Sequence, residues 1–98
     1  MTGVLVRMEM LVAPLLDGEP DGEGLYLEWE AVPDAAGYRL ERQAGDGPWA
    51  LIADDFPPGC CWFAEEEPPE GVTHAYRVAA LAAGGARSPW SEVFWIEG

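Results

Sequence analysis

The densest run of chemistry-bearing residues in this chain is acidic: Asp17-Gly18-Glu19-Pro20-Asp21-Gly22, with Glu28 six residues after Gly22. Carboxylates at alternate positions, a Gly for a sharp turn and a later Glu make the D-x-[DN]-x-[DN]-G-x5-E spacing with which a loop surrounds Ca²⁺. Glu19 replaces the required Asp or Asn, Gly24 stands where a hydrophobe belongs, and Glu28 falls inside a strand-like pattern instead of a helix. The stretch from Asp17 to Gly24 therefore reads as a solvated acidic loop. Asp17, Glu19, Asp21 and Glu28 are at most weak ligands for a surface Ca²⁺ or Mg²⁺.

Other chemistries lack their parts. The chain has one His, His74, and no Ser-His-Asp order, so a nucleophile with its base cannot be assembled. His74 reads as a structural group bonding the adjacent turn. Carboxylates on solvent-facing loops keep ordinary pKa values and perform no acid chemistry, and Asp54-Asp55 and Glu65-Glu66-Glu67 read as solubilising surface. Cys60 and Cys61 are adjacent. Neighbouring side chains in a strand point to opposite faces, so the two thiols read as small hydrophobes and not as a cross-link. No catalytic residue and no cofactor is expected.

The aromatic residues are the stronger candidates. Five Trp in 98 residues exceed what one small core can hide. Trp29 is expected inside, whereas Trp49, Trp62, Trp90 and Trp95 cannot all be buried. Exposed aromatics anchor protein interfaces and sugar platforms. A Trp lying under an Arg is also an ordinary structural arrangement, and Trp90 in Ser88-Pro89-Trp90-Ser91 is placed to stack in that way on Arg77 or Arg39. Trp49, Trp62 and Trp90 are the candidate partner contacts, for a protein or a carbohydrate. Val4, Val6, Met8 and Met10 join them, because they line one apolar face of the segment Met1–Val12. That segment is either a lengthened first strand or an arm that pairs with a neighbouring molecule's exposed edge.

The elements that must position these residues are strands. Twelve Gly and nine Pro cut the sequence into short blocks whose apolar residues repeat with period two. Leu25, Leu27 and Trp29 alternate with Tyr26, Glu28 and Glu30; Tyr38, Leu40 and Arg42 alternate with Arg39, Glu41 and Gln43. Further blocks cover 49–53, 60–64, 73–81 and 91–96. Only Met1 to Leu11 offers a helical alternative, and Val4, Val6 and Val12 oppose it. Six or seven antiparallel strands in about 100 residues is the arithmetic of a two-sheet β-sandwich.

Composition and charge narrow the function classes. With 49% apolar and 23% charged residues the chain folds around a core, though a modest one. Five Arg, no Lys and eighteen Asp and Glu give a net charge of −13, which repels nucleic-acid backbones and anionic membranes. No stretch without charge is longer than that from Val78 to Ala86, which is far short of the roughly 20 apolar residues that span a bilayer. Arg7 and Glu9 interrupt the apolar N-terminus and no small-x-small cleavage site follows, so no export signal is expected. The expected location is the cytoplasm or a particle assembled there.

From Ala13 onward the chain resembles a fibronectin type III domain. Leu27-Glu28-Trp29 is similar to the second-strand L-x-W, and Gly37-Tyr38-Arg39-Leu40-Glu41-Arg42 to the third-strand Y-x-V-x-R. His74-Ala75-Tyr76-Arg77-Val78-Ala79-Ala80 is similar to Y-x-Y-R-V-x-A, and Gly85 with Ser88-Pro89-Trp90-Ser91 to the G-x-S-x-x-S before the last strand. Two departures stand out. The tyrosine-corner position falls on His74, and the Leu expected six residues earlier falls on Pro68. The resemblance implies an all-β, seven-stranded sandwich over 13–98, cored by Leu25, Leu27, Trp29, Tyr38, Leu40, Tyr76 and Val78, after an N-terminal arm or lengthened strand at 1–12. It also implies a non-catalytic interaction module. A lone acidic module of this kind is expected to work by assembling, with bacteriophage capsid or tail decoration as the foremost setting. A Trp-based carbohydrate binder and a cytoplasmic adaptor for a basic protein are the alternatives.

Overall fold

The computed structural model describes residues 11–21, 24–65 and 73–97 of the chain. These residues form seven strands and, among the described residues, no helix: β1 (Leu16–Asp21), β2 (Gly24–Trp29), β3 (Gly37–Ala44), β4 (Trp49–Phe56), β5 (Trp62–Glu65), β6 (Thr73–Leu81) and β7 (Phe94–Glu97). One sheet has the order β1-β2-β5 and the other β4-β3-β6-β7, and every pairing is antiparallel. The chain is the expected all-β sandwich of two sheets.

Period-two alternation explains which residues meet between the sheets. From β2 come Leu25, Leu27 and Trp29; β3 supplies Tyr38 and Leu40, and β6 supplies Tyr76, Val78 and Ala80. All are buried, and Val32 joins them from the β2–β3 connection. Trp29 meets Tyr38 and Phe56 edge-on, with ring centroids 5.6 and 5.3 Å apart, the arrangement that aromatic quadrupoles favour. Tyr38 also ties loops together, its hydroxyl accepting from the Val32 N–H at 3.0 Å. The turn it anchors runs through Pro33 and Asp34, and Asp34 sits at φ 68°, a left-handed conformation that an Asp tolerates better than most residues.

Three expectations need correction. The acidic stretch is not a loop. Asp17 to Asp21 lies within β1, paired with β2 in the register Asp17↔Glu28 and Glu19↔Tyr26. Acidic residues, Gly and Pro are poor strand formers, but pairing along the whole of β2 outweighs local preference. Gly18 is needed there because a Cβ at that position would lie 2.7 Å from Leu27 Cδ2 and 2.9 Å from Phe94 Cζ. Glu65 is not merely solubilising surface, since it faces inward opposite Leu25. There its carboxylate accepts from Arg42 and, at 2.8 Å, from the Tyr76 hydroxyl, joining the two sheets. Burial, Glu65 and its charge push the Tyr76 phenol well above its ordinary range. Finally, the last strand begins at Phe94, not at Ser91.

Of the segment Met1–Val12, only Leu11 and Val12 fall among the described residues. Leu11 packs against the core and Val12 is exposed, and neither is in a strand. Val4, Val6, Met8 and Met10 lie outside the described residues.

Candidate docking faces

Each sheet turns one face to the core and the other outward, and the outward faces differ in chemistry. On the three-stranded sheet the register sets Asp17, Glu28 and Trp62 in one row across β1, β2 and β5, with Glu19, Tyr26 and Ala64 in the next. Asp17, Glu19 and Glu28 are exposed, and Trp62 is 53% exposed. Trp62 stacks on Tyr26 with ring centroids 6.2 Å apart and planes at 21°. Partial desolvation together with the charges of Glu28 and Glu19 raises the Tyr26 phenol above its ordinary value. Among the described residues no Arg or His side chain stands on this face.

Asp17 and Glu28 are strand neighbours and Glu19 is one row along, so these acids are laid out along paired strands and not around a loop that wraps an ion. Among the described residues no group of three or more His, Cys, Asp or Glu gathers in a metal-holding arrangement.

The outward face of the four-stranded sheet pairs an acid with arginines of the same sheet. Glu41 on β3 lies opposite Arg77 on β6. Its buried carboxylate accepts from Arg77 Nη2 at 2.6 Å and Nε at 3.0 Å, and from Arg39 Nε at 2.9 Å. Burial pushes the Glu41 carboxyl up, but the bonds and charges of Arg77 and Arg39 outweigh it and hold the group below the ordinary carboxylate range. The Arg77 guanidinium is also covered by rings, its carbon 4.2 Å from the centroid of Trp49 and 4.0 Å from that of Trp90. Arg87 lies 4.6 Å from the same Trp90 ring. Trp90 therefore stacks with Arg77 and Arg87; no such contact with Arg39 is seen.

Two serines hold Trp90 there. Ser88 N–H donates to the Ala80 carbonyl at 2.9 Å while its hydroxyl accepts from the Ala80 N–H at 2.9 Å. Ser91 repeats the pattern on Val78, with bonds of 2.8 and 3.0 Å. Side chains thus complete a ladder that Pro89, lacking an N–H, could not continue. The spacing Ser88–Ser91 signalled this element. The triad Glu41–Arg77–Trp49 had no local signal, because its members come from three strands.

The remaining candidates fall as follows. Leu25, Leu27, Trp29, Tyr38, Leu40, Tyr76 and Val78 lie in the interior. Trp49 and Trp90 are half-buried against Arg77, whereas Trp62 and Trp95 are exposed. His74 is fully buried with neither ring nitrogen bonded among the described residues, and the turn it was expected to bond, 66–72, lies outside them. Cys60 and Cys61 are free and half-buried. Three recesses among the described residues are shallow, and none of the three brings a nucleophile beside a base.

No protein-family model matches the sequence, and no curated protein matches it either. Solved structures match the fold. An Fn3-like protein from Clostridium thermocellum is 20% identical with a TM-score of 0.66, over 89% of this chain and 88% of that one. The twitchin kinase region from C. elegans is 18% identical with a TM-score of 0.71, over 90% of this chain and 16% of that one. Pectate lyase PelI from Erwinia chrysanthemi is 17% identical with a TM-score of 0.74, over 86% of this chain and 28% of that one. This chain thus spans little more than a quarter of the lyase and has a fibronectin type III-like fold.

Proposed function

We propose that the chain is a non-catalytic assembly module that attaches to a larger particle, with a bacteriophage capsid or tail as the setting and the virion or the cytoplasm as its location. The observation that supports this reading is the outer face of β1-β2-β5. A half-exposed Trp stacked on a Tyr, both carried on paired strands, is the kind of anchor on which interfaces concentrate their energy. It sits in a fold whose other Trp residues are committed to the core or to Arg77, apart from Trp95.

The test is velocity sedimentation of particles produced with the chain present. The wild-type chain is expected to travel with material far heavier than 10.6 kDa, and Trp62→Ala to remain at the top of the gradient with its thermal melt unchanged. A wild-type chain that stays at the top, or a Trp62→Ala chain that sediments undiminished, contradicts the proposal.

A carbohydrate-binding role is the second reading, favoured by the same ring pair, since an exposed aromatic surface suits a sugar. Glycan-array binding lost in Trp62→Ala and retained in Asp17→Asn/Glu28→Gln would select it.

A further inference from the structure

The two outward faces carry related constellations, and one lacks a member. On the four-stranded sheet a carboxylate, a guanidinium and an indole are assembled from neighbouring strands, with Arg77 lying over Trp49 while its edge donates to Glu41. On the three-stranded sheet Glu28 and Trp62 are direct cross-strand partners, with Asp17 beside Glu28 and Glu19 beside Tyr26, but no guanidinium is present among the described residues.

From this, and resting on the reading of that face as the docking surface, we infer that the outer face of β1-β2-β5 receives an arginine from a basic segment of a protein partner. The guanidinium lies over Trp62, and Glu28 and Asp17 accept from its edge.

Three features single out this occupant. Strand spacing of about 4.8 Å brings a carboxylate beside the ring on which the cation rests, so stacking and hydrogen bonding are satisfied together. Arginine alone among cationic side chains offers a plane to stack and a fork to bond; the lysine ammonium is a strongly hydrated point charge. The exposed carboxylates Asp17, Glu19 and Glu28 repel one another across the face, and an incoming cation relieves that repulsion. A neutral sugar would leave it in place.

Because a chain of charge −13 attracts any basic peptide, the test needs a charge-matched control. The full chain is titrated by calorimetry with a capped Gly-Ser-Arg-Gly-Arg-Ser-Gly peptide and with its Lys homologue at 150 mM salt. The variants are Trp62→Ala, Asp17→Asn/Glu28→Gln and the control Asp54→Asn/Asp55→Asn, which removes the same charge from β4. The Arg peptide is expected to bind at least about threefold more tightly than the Lys peptide. Trp62→Ala should weaken it about fivefold, the loss of one cation–π contact, and Asp17→Asn/Glu28→Gln about tenfold. The control should change it less than twofold.

Equal weakening by the control, indifference to Trp62→Ala, or displacement of the peptide by cellohexaose overturns the inference. If the peptide fails while Trp62→Ala still releases the chain from its particle, the arginine inference falls and the docking reading stands. If Trp62→Ala affects neither, both fall.

Discussion

The outward faces of the two sheets are built from the same residue types and put them to opposite uses. On the four-stranded sheet Trp49 and Trp90 enclose Arg77 and Glu41 bonds both Arg77 and Arg39, so this constellation is completed from within the chain, with Trp95 left exposed on the same face. On the outward face of the three-stranded sheet no cation meets the acids among the described residues, and the ring of Trp62 stacks on Tyr26. A Trp or a carboxylate therefore cannot be assigned to stability or to recognition by its type. What decides is whether the strand register supplies its complement from within the chain. The Arg77 cluster on the four-stranded sheet is expected to respond to mutation as a core does, and the acidic face as a free surface does.

The largest effect that would break this contrast or confirm it comes from Arg77→Ala. It removes two ring contacts and leaves the Glu41 carboxylate buried with one cation, so it should lower unfolding stability by about 3 kcal/mol. Denaturant melts check this, and a loss below about 1 kcal/mol would reduce the Arg77 cluster to a surface arrangement.

Glu41→Gln comes next, at about 2 kcal/mol at neutral pH, since charge-assisted bonds from two guanidiniums are weakened. Its pH dependence has a definite sign. The folded carboxyl lies below its ordinary value of 4.5, so its contribution is full above pH 4.5 and is lost as pH falls through the lower, folded value. The gap between wild-type and Glu41→Gln melting temperatures should narrow below pH 4.5 and stay constant from pH 6 to 8.

Ser91→Ala should cost about 1–2 kcal/mol, because the Val78 N–H then loses its buried acceptor. Slower quenching of wild-type than of Ser91→Ala tryptophan fluorescence by acrylamide would show Trp90 loosened from Arg77.

How much of this is legible in the sequence follows from the range over which each feature is encoded. The interior strands β2, β3 and β6 are readable because alternation is a local signal and their inward residues are large and apolar. Reading β1 fails because its inward positions are Leu16, Gly18 and Pro20, so the period-two signal is erased where Phe94 and Leu27 crowd the strand. The motif around Ser88 and Ser91 was visible, and so was the chance that Trp90 meets Arg77. That Trp49 covers the same guanidinium from the other side depends on how β4 aligns on β3, with register shifts between Tyr38 and Leu40 and between Leu40 and Glu41 that no local pattern encodes. Likewise, the acids of β1 stand out in the sequence as a group but read as a loop, because the partner that extends them, β2, is specified by its own core residues. The inward turn of Glu65 had no signal beyond its neighbours in the strand, and a run of three Glu conceals it.

The smallest effect is the most direct test of the central claim that the acidic, aromatic face is dispensable for folding. Equilibrium unfolding of Trp62→Ala in urea should give a stability within about 1 kcal/mol of wild type, the range of an exposed cross-strand pair, with an unchanged slope. A loss of 2 kcal/mol or more would show that Trp62 holds the sandwich together, and the face would then be structural like its opposite.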